Sequence, residues 1–400
     1  MRVLVWGINY DPEQVGIAPY NAALCEYLAR QGHDVEMVTT FPYYPMWKKA
    51  EKDRGRLYRS DVIRNVRVRR CWHFVPAQPS GFERIMHEAS FVYTSFLRVL
   101  SLRRADVMVV VSPPLLLGAA AWLAGALKRT PHVLHVQDLQ PDAAVGLGIL
   151  EDGWFIEVLR ALERFNYGAA ARVSVISEGM LRILEKRGVK RLLHFPNWIV
   201  ANGPAPARGA FRQARGIGPG EFLILYSGNI GMKQGLELIV EAVSRIDGIR
   251  LIICGDGAGR SAVAKMIDAN GSRNVTLLPL QPDAEYRRMM VDADVCVISQ
   301  RSGGGAAFFP SKLFSCVALG RPVLAVADAE SELARVVQEH GLGVWVAPEM
   351  DALVTALRDL QRNRAQLENC EANGKKFAER YEEARVLPRF EAVLREVASG

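Results

Sequence analysis

Short apolar runs alternate with helical patterns along almost the whole chain, and this alternation restricts the fold more than any other feature. Val3–Trp6, Val35–Thr39, Val66–Cys71, Val107–Val111, Val133–Val136, Val173–Ile176 and Leu192–Phe195 read as strands. Pro19–Gln31, Glu83–Arg103, Trp154–Tyr167 and Glu178–Lys186 read as helices between them. Strands that alternate with helices form a parallel sheet covered on both faces. The rhythm breaks over residues 197–220, where Asn202-Gly-Pro-Ala-Pro-Ala-Arg-Gly209 has linker composition. It resumes with strands at Phe222–Tyr226, Leu251–Cys254, Val275–Leu278, Val295–Ser299, Val323–Val326 and Val344–Val346. An α/β protein of two doubly wound halves, 1–197 and 198–384, is therefore predicted, with ligands in a cleft at the carboxyl ends of the strands. A closing helix within about 385–400 has no strand after it and is expected to cross back onto the first half.

Composition removes several other classes. Val107–Leu127 is a run without a charge, long enough to consider as a membrane span, but Pro113-Pro114 divides it into a strand, a turn and a small-residue helix. The N-terminus opens directly on a strand, so no leader is expected. The six cysteines form no Cys-x-x-Cys pair and read as free thiols of a reducing compartment. The net charge of +7 lies in residues 1–197, with 26 basic against 19 acidic side chains; the remainder has 24 of each. Ten basic and three acidic residues fall between Lys48 and Arg70. This segment is either a solvated arginine-rich loop or a surface for an anionic partner. Without a helix-turn-helix, finger or stacking platform, nucleic acid is not expected as that partner.

The segment Arg301–Pro322 carries the most chemical information. Gly303, Gly304 and Gly305 lead through Pro310 and Ser311 into a helix that begins near Lys312. Glycines let backbone amides approach a ligand, and a helix N-terminus presents unpaired N–H groups. A lysine in that first turn opposes the helix dipole unless an anion sits beside it, which points to a diphosphate site. Gly7–Gly16 and Gly228–Gly235 each follow a strand, yet neither matches G-x-G-x-x-G, and no G-x-x-x-x-G-K-[ST] occurs. A nicotinamide dehydrogenase and an ATPase are thereby disfavoured. Asp292-Ala-Asp294 has the spacing of a metal-carrying pair but runs straight into an apolar strand, where helix-end capping is the better reading. His132 and His135 have no matching carboxylate or cysteine cluster, so no metal and no cofactor are expected. Gln137 and Asp138 end a strand, and Asp138 either accepts a proton from an acceptor hydroxyl or caps the next turn.

Together these residues resemble the retaining family 4 glycosyltransferases of GT-B architecture, two Rossmann-like domains facing a central cleft. Asn9-Tyr-Asp-Pro-Glu-Gln-Val-Gly-Ile17, Gly32-His-Asp-Val35, Phe41-Pro-Tyr-Tyr-Pro-Met-Trp47, Val136-Gln-Asp-Leu139, Phe195-Pro-Asn-Trp198 and Pro310-Ser-Lys-Leu313 carry the resemblance. The first half is similar to colanic-acid-type fucosyltransferases and O-antigen N-acetylfucosaminyltransferases. The resemblance implies a metal-independent hexosyltransferase that takes its sugar from a nucleoside-diphosphate donor. Its acceptor would be a polyprenyl-diphosphate-linked saccharide at the cytoplasmic face of the cell membrane, in surface polysaccharide synthesis. Tyr43, Tyr44, Trp47, the basic segment and the apolar Phe91–Leu100 face would then suit peripheral docking on anionic membrane.

Carried onto this sequence, the resemblance gives Asp138 and Lys312 catalytic roles. It gives donor contacts to Gly16, Gly228, Asn229, Lys233, Gly255, Gly304, Ser311, Lys312, Ser315 and Glu332, and acceptor contacts to Tyr44, Trp47 and Gln137. The pattern departs from the family at Ala307 and Ser315, where relatives place glutamates, at Asn229 and Gln234 in the second phosphate loop, and at Gln137 in place of a histidine. Two alternatives share the fold: a nucleotide-sugar epimerase and a non-catalytic nucleotide-sugar scaffold.

Overall fold

The computed structural model describes residues 1–13, 16–44, 46–77, 81–141, 153–199, 203, 205–302 and 311–400. It divides into two compact units, Met1–Val200 with Glu383–Gly400, and Ala201–Glu382.

The first unit is built on an eight-stranded sheet. Its strands are β1 (Arg2–Trp6), β2 (Asp34–Thr40), β3 (Tyr58–Ile63), β4 (Val66–Cys71), β5 (Val107–Ser112), β6 (His132–Val136), β7 (Arg172–Val175) and β8 (Leu192–His194), in the order β3-β4-β2-β1-β5-β6-β7-β8. All pairings are parallel except β3 with β4. Its helices are α1 (Ala18–Arg30), α2 (Gly81–Ser101), α3 (Leu116–Lys128), α4 (Trp154–Ala169) and α5 (Glu178–Lys186). The uncharged run resolves into β5 and α3, and among the described residues no helix is long and apolar enough to cross a membrane.

The basic segment departs from the expected loop. Tyr58–Ile63 forms an antiparallel edge strand, joined to β4 by Arg64 and Asn65, both at positive φ (47° and 65°). Two successive positive-φ residues match the right-handed twist of the flanking strands, as a tight hairpin requires. The arginines are matched to carboxylates: Arg69 to Glu36 (2.7 Å), Arg70 to Asp61 (3.1 Å), Arg64 to Glu26 (2.5 Å), Arg59 to Asp53 and Arg67 to Asp34. Much of the segment's charge is thus neutralised locally.

The second unit has a six-stranded, wholly parallel sheet, β11-β10-β9-β12-β13-β14. The strands are β9 (Phe222–Asn229), β10 (Ile249–Asp256), β11 (Val275–Leu278), β12 (Val295–Ser299), β13 (Val323–Val326) and β14 (Gly343–Val346). The strand order reverses between β9 and β12, the switch point where doubly wound sheets bind ligands. The helices are α6 (Ala210–Ala214), α7 (Leu236–Ser244), α8 (Arg260–Ala269), α9 (Asp283–Asp292), α10 (Lys312–Ala318), α11 (Glu332–Glu339), α12 (Met350–Arg362) and α13 (Arg364–Arg380). The last helix, α14 (Glu383–Ser399), belongs to the first unit. There Phe390 stacks on Phe195 at 3.9 Å, and Glu391 accepts hydrogen bonds from Tyr27 (2.8 Å) and contacts the His33 ring at 2.9 Å. Burial alone would raise the Glu391 carboxyl, but the bonds from His33, Tyr27 and Arg395 outweigh it and hold it at about 2.

Asp292 and Asp294 are braces. The Asp292 carboxylate accepts from the amides of Gly209 (2.5 Å), Phe211 (2.8 Å) and Arg212 (3.0 Å), and so caps α6 from outside. Asp294 accepts from Arg212 (2.6 Å) and from the Leu223 amide (2.7 Å). Their lone pairs are committed to fastening the 209–212 turn and β9 onto the unit, consistent with the capping reading.

Candidate functional site

In the second unit the polar groups gather where β9 and β10 end. β9 runs three residues beyond the apolar stretch seen in the sequence, and β10 two, so Gly228 and Gly255 lie side by side in register within the sheet. A Cβ on Gly255 would lie 1.8 Å from the Gly228 carbonyl oxygen. Only glycine fits there. Gly228 has φ +128°, and a Cβ on it would come 3.2 Å from the Lys312 Nζ. Gly255 thus lets the two strand ends close on each other, and Gly228 leaves room for the Lys312 amine beside the end of β9.

Lys312 is the first residue of α10, and Ser311 before it makes no side-chain cap. The amine lies 4.0 Å from the centroid of the Tyr226 ring, whose hydroxyl donates to the Asn229 carbonyl (2.5 Å). A cation over an aromatic face is held by the ring quadrupole without being neutralised. Among the described residues no carboxylate pairs with Lys312. Burial lowers its pKa to about 8, with the Cys316 and Cys296 thiols opposing that shift.

The following loop is pinned to β12. Gln234 accepts from the Gly231 amide (3.0 Å), Ser299 donates to the Gln234 carbonyl (2.6 Å), and the Arg301 amide donates to the Lys233 carbonyl (2.7 Å). Asn229 is exposed at the strand end, and Lys233 sits in the single turn Met232–Gln234. Ser315 hydrogen-bonds the Tyr286 phenol. Glu332 opens α11, is buried, and pairs with Arg335 at 3.3 Å. Gly304, with Ala307, lies outside the described residues.

In the first unit the loops at the carboxyl ends of β1, β2, β4 and β6 form an aromatic and polar cluster. The Glu13 carboxylate accepts from the amides of Tyr43 and Tyr44 (2.9 Å each) and from Asn9 (2.8 Å). It thereby holds the backbone at Tyr43 and Tyr44. Tyr43 packs edge-on to His73 (4.9 Å) and Trp47 (5.5 Å), and Arg84 lies over Trp47 at 5.9 Å. Tyr44 and Trp47 remain half-buried, while Tyr43 is enclosed. Gln140 donates to Glu88 (3.4 Å), whose carboxyl burial raises to about 7 against the pull of Gln140 and Arg84. Gly16, at φ +66°, turns the chain into α1.

Gln137, expected to contact the acceptor, has partners within the first unit. It is buried, and its amide exchanges two 3.1 Å hydrogen bonds with Asn197 and contacts the His135 ring at 2.8 Å. Those bonds use up its amide, so it braces β6 against the 195–198 turn. Asp138, next along, is half-buried at the strand end.

Sequence reasoning missed Tyr226, Glu13 and Glu88. Tyr226 reads as one more apolar strand residue, Glu13 as loop, and Glu88 as the polar side of a helix. No spacing rule announces that a remote chain segment will meet each of them.

Two doubly wound sheets, parallel except at the β3 edge, match the GT-B architecture. The comparisons agree. Residues 15–198 match the family described as Glycosyl transferase 4-like domain, and residues 207–377 match Glycosyl transferases group 1. WcaI of Escherichia coli (strain K12), provisionally assigned as a colanic acid biosynthesis glycosyl transferase, is 35% identical over 376 residues, covering 90% of this chain and 91% of that protein. The chain belongs to the family 4 glycosyltransferases. Among solved structures, sucrose-phosphate synthase from Thermosynechococcus elongatus superposes with a TM-score of 0.79 at 19% identity, covering 100% of this chain and 99% of that one. Anabaena HepE in complex with UDP-glucose superposes with a TM-score of 0.67 at 14% identity, covering 99% and 100%.

Proposed function

We propose that this protein is a retaining glycosyltransferase of surface polysaccharide synthesis, moving a fucose-type or N-acetylfucosamine-type sugar from a nucleoside-diphosphate donor to a polyprenyl-diphosphate-linked saccharide. The observation that carries the reading is the Lys312 amine, held over Tyr226 beside Gly228 with no described carboxylate to neutralise it. Such an amine is suited to a diphosphate, whose charge grows as the sugar leaves. Backbone amides near Ser311 would share that charge, with Asn229 and Lys233 at the rim. The UDP-glucose bound by HepE and the colanic acid assignment of WcaI support the substrate class.

On the acceptor side, Tyr44 and Trp47 offer ring faces to a saccharide. In front-face displacement the leaving phosphate itself takes the acceptor proton, so Asp138 serves to orient the hydroxyl. The test is a screen of GDP-fucose, UDP-N-acetylfucosamine and other donors against a lipid-linked acceptor. Sugar transferred only when acceptor is present supports the proposal. Donor converted without acceptor indicates the epimerase, and no affinity for any nucleoside diphosphate indicates the scaffold.

A further inference from the structure

Three adjacent helices in the first unit expose many large apolar side chains, with Arg84, Glu157 and Arg164 among them. On α2, Phe82, Met86, Tyr93 and Leu97 recur at helical spacing and are all exposed, Phe82 by 72% and Tyr93 by 66%. Three of its charged side chains have partners of their own: Arg98 reaches Ser60 (3.1 Å), the exposed Arg84 lies over Trp47, and Glu88 meets Gln140. Phe91, expected to face outward, is fully buried and belongs to the opposite face. Helix α2 is thus apolar on two sides: Phe91 and Val99 enter the core with Val92, Phe96 and Leu100 packed against it, while Phe82, Met86, Tyr93 and Leu97 are exposed.

Helix α3 packs beside α2 and continues the surface with Trp122, Leu123 and Leu127, with no charged residue between Leu116 and Leu127. Helix α4 adds Trp154, exposed by 80%, Val158 and Phe165; Phe165 meets Trp122 edge-on at 5.3 Å across the α3–α4 seam. Single exposed apolar residues are ordinary, but a contiguous patch over three helices marks an interaction surface.

The rim tells which partner. Arg103, Arg104 and Arg129 are exposed where α2 and α3 end, and the Lys128 amine donates to the Leu102 carbonyl (2.6 Å) to join the two helix ends. Arg164 is exposed on α4. Tryptophan and tyrosine among aliphatic side chains, bordered by long cationic ones, match the layering of a bilayer interface with anionic headgroups.

We infer that the outer face of α2, α3 and α4 is the surface by which this protein docks on an anionic lipid bilayer. The inference deepens the transferase proposal, which places the acceptor's polyprenyl chain in such a bilayer. It also moves the docking surface away from the Lys48–Arg70 segment, whose arginines are largely paired.

The experiment is co-sedimentation of the full-length protein with phosphatidylcholine vesicles and with phosphatidylcholine–phosphatidylglycerol vesicles. The wild type is expected to pellet with the phosphatidylglycerol vesicles. Trp122→Glu with Leu127→Glu should weaken that binding at least about tenfold, and Arg103→Ala with Arg104→Ala should weaken it in proportion to the anionic lipid present. Both pairs are exposed, and an unchanged melting temperature shows that they fold. Wild type that stays in the supernatant, or pelleting indifferent to the apolar pair, overturns the inference. A dimer that the apolar pair dissociates, without vesicle binding, also overturns it and assigns the face to a second copy. Transfer to a short-chain acceptor in detergent separates the two proposals. If it persists while docking fails, only this surface is wrong; if it is absent while docking holds, only the transferase reading fails.

Discussion

Replacing Lys312 with methionine removes one charge while keeping most of the side chain's length and packing on Tyr226. Two unit charges about 4 Å apart interact by about 4 kcal/mol at an effective dielectric near 20. Part of that is offset by the cost of drawing the amine and a phosphate oxygen out of water. Removing a preorganised donor to a developing anion costs roughly 3 kcal/mol, or about 100-fold in rate. Lys312→Met is therefore expected to lower kcat/KM about 100-fold and to weaken nucleoside-diphosphate binding measured by calorimetry. The amine adds a pH signature. Burial holds its pKa at about 8, so the free protein keeps the charge below that pH and loses it above. Wild-type Kd should be level from pH 7 to 8 and rise towards tenfold per unit beyond, while Lys312→Met stays flat throughout. Equal affinity and equal rate in the two proteins would refute the reasoning, as would a wild-type Kd indifferent to pH across that window.

Three further outcomes test the scaffold around the site. Gly228→Ala places a methyl 3.2 Å from the Lys312 amine at φ +128°, so nucleotide affinity should fall about tenfold with the fold retained; unchanged calorimetry would show that the amine is not positioned there. Asp292→Ala leaves the Gly209, Phe211 and Arg212 amides unpaired and should cost about 3 kcal/mol in urea unfolding. Glu391→Gln tests the attachment of α14. Because the Glu391 carboxyl is depressed from 4.5 to about 2, its contribution is present above about pH 4.5 and is lost as pH falls towards 2. The variant should be less stable by on the order of 3 kcal/mol at pH 7 and converge with wild type in acid.

The parallel-sheet architecture was legible because β5, β12 and β13 are apolar runs almost to their ends, as burial on both faces requires. β3 was not, since Tyr58–Ile63 alternates weakly and half its residues are polar, with Arg59 paired to Asp53 and Asp61. Lys312 announced itself by standing at the wrong end of a helix. Its partner ring did not, because Tyr226 is distant in sequence and looks like any other core strand residue. Gln137 illustrates the opposite failure: a strand-end position suggested a ligand contact, but Asn197, sixty residues on, takes its amide. On α2 the expected outward face was the wrong one: Phe91 is buried in the core, and Phe82, Met86, Tyr93 and Leu97 are exposed instead. Periodicity shows that a helix has apolar faces, not which of them looks inward.

The central claim is that the Lys312 site binds a sugar nucleotide so that its sugar can be moved to a lipid-linked saccharide. The most direct measurement is mass spectrometry of products from the purified protein, a matched nucleoside-diphosphate sugar and a polyprenyl-diphosphate-linked acceptor, with wild type and Lys312→Met side by side. The account predicts an acceptor heavier by one sugar residue, formed about 100-fold more slowly by the variant. Donor consumed with no acceptor adduct, or an adduct formed equally fast by both proteins, would contradict it.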